Sequence, residues 1–270
     1  MKRIIGVNSN CYHGYSIDDA IDGIQAAGFH YIELTATKGW TEHVFPSQSF
    51  TELLRIKNRL EEAKLIPFAL SGHCNLMDKE RLQDFISNIE LASFFKCDYV
   101  VSSVGEAHLE DKTLLSNIAA AENIKGLIPI LRKHRMKLML ETHGGHATGV
   151  VLKELVDLIH SEWVAINYDT ANVVFYADAD IREDLSACAD QVGYLHLKDK
   201  DGASDEWNFP ALGNGRIDFP MVFDVLEQHH NMSPFSVEIE FTKAGAKNVQ
   251  EVNQAVKTSA DYLKSCGFEI

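Results

Sequence analysis

The chain has 270 residues, which is enough for one large domain, and a barrel of eight βα units needs about 250. Its 39 acidic residues outnumber the 25 basic ones, and no dense run of lysine and arginine argues for nucleic acid as a partner. No apolar stretch approaches the roughly 18 residues of a membrane span. Because the amino terminus enters a strand-like run without a signal region, we expect a cytoplasmic protein without membrane contact.

Strand-like apolar runs recur along the whole chain, with helical periodicity between most of them. They lie near residues 4–8, 31–35, 66–71, 98–103, 137–141, 163–169, 192–197 and 234–239. The first helix is predicted to begin near Ser16, with an acidic residue three positions later, and to end at Gly28. A wide apolar stripe over 50–63 predicts the second helix.

The spacing between successive strands is roughly 26 to 42 residues, which fits one βα unit each. We therefore predict an α/β fold, a single (β/α)₈ TIM barrel whose one domain covers residues 1–270. An open doubly wound sheet is the structural alternative. It normally carries a Gly-rich turn after its first strand, and no GxGxxG motif follows Gly6 here.

Four strand-like segments each end in a metal-binding type of side chain. They are Leu138-Met139-Leu140-Glu141, Ile166-Asn167-Tyr168-Asp169, Gly193-Tyr194-Leu195-His196 and Phe235-Ser236-Val237-Glu238. The carboxyl ends of parallel strands meet at one face of a barrel, so these endings predict convergence on one point. Three carboxylates and one imidazole suit one divalent ion, with Mn²⁺ favoured over Mg²⁺, Co²⁺ or Zn²⁺.

The four predicted ligands occupy equivalent positions in their strands. Strands five to eight are predicted to begin near Lys137, Ala165, Val192 and Pro234, and each ligand follows four residues later. Since adjacent strands lie about 4.8 Å apart, side chains in one layer can meet on an ion. Glu240 lies two residues beyond Glu238 and points to the same side, but register favours Glu238 as the ligand.

Lys198 follows His196 by two residues and therefore projects toward the same side of strand seven. A cation at that point can hold an enediolate or phosphate oxygen. The alternative is a solvated lysine in the charged run 198–201.

Loops that follow the strands carry further polar and aromatic groups. We predict that His73 and His143, in glycine-containing loops, contact a ligand. His146, Glu33 and Asn172 are open between site and structural roles. Trp40, Trp207 and Phe209 are candidates for a roof that excludes water. The remaining histidines are expected at the surface or the edge of the core: His13, His30, His43, His108, His134, His160, His229 and His230.

Several of these segments together resemble the sugar phosphate isomerase/epimerase family of the xylose isomerase-like TIM barrel superfamily, which shares its fold with endonuclease IV. The resemblance covers nearly the whole chain. Its motifs are Ser71-Gly72-His73, Glu141-Thr142-His143-Gly144-Gly145, Tyr168-Asp169-Thr170-Ala171-Asn172, His196-Leu197-Lys198-Asp199, residues 210–219 and Val237-Glu238-Ile239-Glu240.

The resemblance implies a metal-dependent isomerase or epimerase of a small sugar or sugar phosphate. Glu141, Asp169, His196 and Glu238 would bind the ion, and Glu141 and Glu238 would move a proton next to a carbonyl through an enediolate. His73, His143 and Lys198 complete the expected catalytic set. Exposed loop aromatics are compatible with a homo-oligomer.

The resemblance leaves other activities open. The superfamily includes inosose dehydratases and lyases that act on keto-sugars, and a sugar-binding barrel without catalysis is a further alternative. An endonuclease IV-like phosphodiesterase is disfavoured, because Asn172 stands where that enzyme carries a histidine. Several ketose epimerases also have a histidine there, which puts an epimerase contact at this position in doubt.

Overall fold

The computed structural model describes residues 3–109 and 114–270. Its ten strands are β1 (Ile5–Asn8), β2 (Tyr31–Thr35), β3 (Ile66–Ser71), β4 (Tyr99–Ser102), β5 (Lys137–Glu141), β6 (Val164–Asp169), β7 (Val192–Lys198), β8 (Asn208–Phe209), β9 (Phe235–Glu238) and β10 (Phe241–Thr242). Eight of them form a closed parallel barrel in the order β1-β2-β3-β4-β5-β6-β7-β9. The predicted (β/α)₈ TIM barrel is confirmed, with each barrel strand at its predicted place.

Helices follow the strands and cover the outside of the barrel. They are α1 (Ile17–Ala27), α2 (Phe50–Ala63), α3 (Arg81–Phe94), α4 (Asn117–Lys125), α5 (Ile128–His134), α6 (Gly149–Ile159), α7 (Asn172–Ala177), α8 (Ile181–Cys188), α9 (Phe219–Gln228) and α10 (Val249–Ser265). Helix α1 begins with the predicted reciprocal cap, in which Ser16 and Asp19 each accept from the other's backbone N–H. It ends where Gly28 takes φ 97°, a left-handed conformation that glycine adopts without strain.

The core has two parts, one between the barrel and its helices and a smaller one inside the barrel. The inner part contains Phe68, Ala69, Val101, Met139 and Tyr194, all nearly or fully buried. A Cβ at Gly193 of β7 would lie 2.8 Å from the Ala165 side chain of β6, so only glycine fits at this point between the two strands. This packed layer closes the barrel and forms the floor beneath its polar carboxyl end.

The register between strands determines the height of each strand end. Glu141 pairs with Asn167, Asp169 with His196, and Lys198 with Glu238. Asp169 therefore lies two residues beyond Asn167, the partner of Glu141. Glu238 lies two residues beyond Ser236, the partner of His196, so the ligands do not share one hydrogen-bond register. The strands of a closed barrel are tilted, and this stagger keeps inward side chains at one height.

A short antiparallel ladder lies outside the barrel, between β8 and β10. Phe241 pairs with Phe209, and Thr242 with Asn208. Phe241 has φ 59°, which is costly for a bulky side chain and persists only where its surroundings fix it. The ladder thus joins the loops that follow β7 and β9 at the carboxyl face of the barrel.

Candidate metal centre and active site

His196 lies at the centre of the polar cluster on the carboxyl face and is fully buried on β7. Its Nε2 lies 3.0 Å from Glu33 Oε2, and Tyr194 donates to the same oxygen at 2.9 Å. An Nε2–H that donates to Glu33 leaves the Nδ1 lone pair free. Nδ1 is buried and has no hydrogen-bond partner within the described chain.

Asp169 presents a second unpaired atom beside His196. Its Oδ1 accepts from the backbone N–H groups of Ala171 and Asn172 at 2.9 and 2.8 Å. Its Oδ2 is buried, has no hydrogen-bond partner in the described residues and lies 3.9 Å from His196 Nδ1. Burial raises the pKa of Asp169 well above its ordinary range, and Glu141 and Glu238 add to this although Lys198 opposes it. A cation would relieve this concentration of negative charge.

Glu141 and Glu238 complete the cluster from either side. Glu141 Oε1 lies 3.5 Å from His196 Nδ1 and accepts from Asn172 at 3.0 Å, while Oε2 is 2.6 Å from His73 Nε2. Glu238 Oε2 lies 3.3 Å from His196 Nδ1. Burial opposes ionisation of both groups, but His73 and His196 hold the pKa of Glu141 well below its usual value. Lys198 and His196 lower that of Glu238 to about 2.

One ligand atom from each of Glu141, Asp169, His196 and Glu238, together the ligand cluster, lies within 4.8 Å of the other three. Atoms bound at about 2.1 Å to one ion are roughly 3 to 4 Å apart. His196 Nδ1 and Asp169 Oδ2, two of the buried side-chain atoms without a hydrogen-bond partner in the described residues, belong to this cluster. The donor set, the spacing and the unpaired atoms all fit a divalent ion, and Glu33 would orient the imidazole ligand.

Lys198 and Glu240 lie next to the ligand cluster. Lys198 Nζ is 2.6 Å from Glu240 Oε2 and 3.7 Å from Glu238 Oε2. Burial alone would lower the pKa of Lys198, but the carboxylates of Glu240, Glu238 and Asp169 raise it well above the usual value. Asn10 donates to both Glu238 and Glu240, at 3.0 and 3.2 Å. Lys198 is therefore a buried cation. The alternative prediction, a solvated lysine in the charged run 198–201, is wrong.

A pocket of about 250 Å³, here called the reactive pocket, opens above the ligand cluster. Of the predicted residues, Glu141, Glu238, His73, His143, Lys198, Glu240, Asn172, Trp40 and Trp207 line it. Tyr176 OH lies 3.0 Å from His143 Nε2. Since burial lowers the pKa of His143 to about 4, the ring is neutral and can accept that hydrogen bond.

Two residues, Phe209 and His108, lie elsewhere than the sequence indicated, and the position of His146, which the sequence left open, is now decided. Phe209 does not line the pocket but is buried, with its ring 4.5 Å beneath Lys198 Nζ, because the β8–β10 ladder turns it inward. His146 lies outside the pocket and its Nε2 contacts Asn117 at 3.1 Å. His108, expected at the surface or core edge, instead lines the pocket and stacks on Trp40 at 4.9 Å.

Other pocket residues were missed by sequence reasoning. Asn10 follows β1 and lines the pocket, and Asn8, the last residue of β1, lies beneath it; both donate to Glu238. The rule that polar residues at strand ends form sites could have found them, since Asn8 ends the first strand. Tyr176 lies in α7, four residues beyond Asn172, and only the packing of that short helix against the loop of His143 brings it to the pocket.

The chain matches the family described as xylose isomerase-like TIM barrel over residues 21–266. The chain belongs to this family. The family was therefore identified correctly from the strand-end motifs. No curated protein sequence matches the chain. None of the described helices is both long and apolar enough for a membrane span.

Solved structures with the same fold cover almost the whole chain. D-allulose 3-epimerase from Methylomonas sp. in complex with D-allulose is 17% identical, with TM-score 0.76 over 98% of each chain. The 3-keto-D-glucoside 4-epimerase of E. coli is 16% identical, with TM-score 0.72 over 98% of this chain and 100% of that one. A family member from Mycobacterium smegmatis in complex with magnesium is 14% identical, with TM-score 0.75 over 97% of each chain.

Proposed function

We propose that this protein is a divalent-metal-dependent isomerase or epimerase that transfers a proton at a carbon next to the carbonyl of a sugar. The observation that carries the proposal is the ligand cluster, with its two unpaired buried atoms, at the floor of a pocket on the carboxyl face of the barrel. Active sites of TIM-barrel enzymes lie on this face. Solved neighbours named as sugar epimerases, and one solved with magnesium, support the same assignment.

The proposed ion is held by Glu141, Asp169, His196 and Glu238, with Mn²⁺ as the favoured metal. When bound, a divalent ion polarises a substrate carbonyl and stabilises negative charge on its oxygen. Asp169 and His196 lie beneath the pocket and serve only to bind and orient. Glu141 and Glu238 also line the pocket, so both can reach a substrate.

Glu141 and Glu238 are the proposed proton-transfer groups. One carboxylate removes the proton from the carbon beside the carbonyl, and the electron pair of the broken C–H bond shifts onto the carbonyl oxygen. The opposite group, which holds a proton as a carboxylic acid at that point, then delivers it to carbon, and the electron pair returns from oxygen to carbon. His73 fixes Glu141 through its 2.6 Å contact, and the buried charge of Lys198 favours the developing negative charge on oxygen.

The charge of the pocket favours an unphosphorylated sugar over a sugar phosphate. Lys198 is the only lysine or arginine among the described residues that line the reactive pocket, and it is already paired with Glu240. Arg216, in the loop after β7, is exposed and lies outside the pocket. A phosphate would face the three carboxylates that line the pocket, with Asp169 beneath them, and the proposed ion and Lys198 together do not neutralise all four.

Metal retention tests the proposed ion directly. The protein is loaded with Mn²⁺, desalted and analysed for bound metal, beside Asp169→Ala and the exposed control Asp205→Ala. We expect about one ion per chain in the wild type and the control, and none in Asp169→Ala, since the cluster then loses a ligand. Equal metal content in all three proteins, or none in any, would contradict the proposal.

Solvent exchange tests the proposed chemistry. The Mn²⁺ protein is incubated in D₂O with D-allulose, D-fructose or a 3-keto-D-glucoside, and deuterium at carbon is followed by mass spectrometry. We expect exchange that Glu141→Gln and Glu238→Gln each abolish, because the amide cannot take the proton. A variant that retains metal and a near-normal rate would remove that residue from the proton transfer.

A further inference from the structure

A second cavity of about 640 Å³, here called the side cavity, lies next to the reactive pocket. Asn10, Trp40, Trp207 and Glu240 line both spaces. The shared residues place the side cavity directly beside Lys198 and Glu238, which contact Glu240 and Asn10. A ligand seated over the ligand cluster and extended past this boundary would therefore enter the side cavity.

The boundary between the two spaces is rigid. Trp40 stacks on His13 at 4.1 Å on one side and on His108 at 4.9 Å on the other, so both faces of its ring are covered. Trp207 meets Trp40 edge-on at 6.4 Å and packs against Phe209 at 5.1 Å. Rings held in this way present preformed edges to both spaces at little entropic cost.

The far side of the side cavity is formed by the loops after β1 and β9 and by α10. Tyr15 OH donates to the carbonyl of Ala246 at 3.3 Å and joins the two loops. The left-handed backbone of Phe241 is fixed by the β8–β10 ladder. These contacts hold the cavity open. Strained backbone positions such as that of Phe241 are common at ligand-binding sites.

The chemistry of the side cavity differs from that of the reactive pocket. The reactive pocket presents carboxylates, histidines and a buried lysine, whereas Tyr15, Ile239, Phe241, Ala244 and Val252 give the side cavity a mainly aromatic and aliphatic lining. Ring-shaped groups with an apolar face and a few hydroxyls suit such a surface. The reactive pocket is also the smaller of the two spaces.

We propose that the side cavity binds a second ring attached to the reacting keto-sugar, so that the substrate is a glycoside and not a free monosaccharide. This inference rests on the proposed function, because it assigns the reacting ring to the reactive pocket. The keto-sugar ring lies over the ligand cluster, and its glycosidic substituent crosses the boundary of Trp40 and Trp207. The substituent adds binding energy at a distance from the reacting carbon.

Binding of a matched ligand pair tests the inference. Dissociation constants of methyl and phenyl 3-keto-β-D-glucoside for the Mn²⁺ protein are measured by calorimetry. We expect the phenyl glycoside to bind about fivefold more tightly, in line with one added aromatic contact. Ala244→Trp, which places a ring in the side cavity, should remove this preference and leave the methyl glycoside unaffected, and Ala244→Ser serves as the control.

The outcomes separate this inference from the proposed function. Exchange of deuterium into both glycosides with equal binding would overturn the side cavity as a ring site and leave the proposed function intact. A phenyl preference that Ala244→Trp removes, without any exchange, would support the ring site and contradict the proton transfer. A preference unchanged by Ala244→Trp, or binding of neither glycoside, would also overturn the inference.

Discussion

Single residues beneath the pocket decide what the ligand cluster can do. Glu33 never reaches the pocket, yet it receives the Nε2–H of His196 and the hydroxyl of Tyr194 at 2.9–3.1 Å. It thereby determines which imidazole nitrogen faces the cluster. The sequence left the role of Glu33 open, and only the fold could show that its partner His196 lies 163 positions away.

Glu33→Gln should weaken Mn²⁺ binding by about 10- to 100-fold, because the neutral amide orients His196 less strongly and makes it a weaker ligand. The affinity is measured by calorimetric titration of the metal-free protein. Tyr194→Phe is the matched control, since it removes the other partner of Glu33 and leaves His196 in place. An unchanged affinity in Glu33→Gln would show that Glu33 has no role in orienting the ligand.

His43 links stability to pH at a site outside the ligand cluster. It is buried after β2, where Nε2 donates to the carbonyl of Tyr15 at 3.1 Å. Burial lowers its pKa to about 4, with a smaller effect of the same sign from His13, although the hydrogen bond to Tyr15 and the charge of Asp19 oppose it. The pKa of histidine in the unfolded chain is about 6.5, so the folded state binds fewer protons than the unfolded state between about pH 4 and about pH 6.5. The stabilisation is complete above about pH 6.5 and is lost as pH falls toward about 4.

His43→Gln should therefore make the free energy of unfolding less dependent on pH between about 7 and 4, by on the order of 2 kcal/mol. Glutamine does not titrate and keeps a donor toward Tyr15. Urea unfolding at several pH values measures the difference, with the exposed His30→Gln as control. The expectation fails if His43→Gln loses stability on acidification as steeply as the wild type.

At the scale of elements, the loop after β7 depends on one carboxylate. Asp199 is fully buried and accepts from the backbone N–H groups of Lys200, Gly213, Gly215 and Ile217 at 2.8–3.2 Å. A Cβ at Gly215 would lie 2.3 Å from Asp199 Oδ1, so the loop needs glycine there. The motifs at 196–199 and 210–219 are thus one structural unit, which spacing alone did not reveal.

Asp199→Ala should lower the free energy of unfolding by roughly 3 kcal/mol or more, because four backbone N–H groups, two of them buried, lose their acceptor. Chemical denaturation at neutral pH measures the change. The exposed Asp201→Ala, two residues further on, should be within about 0.5 kcal/mol of the wild type. Similar losses in the two variants would show that the loop is not organised by Asp199.

On the scale of the whole molecule, the barrel brings together carboxylates that repel one another. Glu141, Asp169 and Glu238 come from three strands and share one buried point with His196. Without a cation, this concentration of negative charge is unfavourable. The pKa of Asp169 is raised first by burial and further by the charges of Glu141 and Glu238. A divalent ion that binds the folded state but not the unfolded state would therefore stabilise the entire barrel.

Saturating Mn²⁺, at about 100 times the dissociation constant, should raise the melting temperature by roughly 5–10 °C over the metal-free protein. Calorimetry with and without a chelator measures the shift. Asp169→Ala should show little or no rise, since it lacks a ligand. A rise of equal size in the variant would place the stabilising ion elsewhere.

Local sequence patterns were sufficient to predict the barrel, its eight strands and the four side chains of the ligand cluster. Apolar periodicity and the residue that ends each strand are local properties, and strand ends of a parallel barrel converge whatever the loops do. Equal spacing along the strands nevertheless missed the two-residue stagger that barrel tilt imposes.

The loop residues that reach the pocket are determined by tertiary packing and could not be predicted from local sequence patterns. His108 and Tyr176 enter it, while Phe209 turns inward beneath Lys198. Their positions depend on contacts between segments far apart in the chain, such as the β8–β10 ladder and the stack of Trp40 on His13. Loop conformation follows from such long-range packing, whereas strand position follows from a pattern that each segment carries alone.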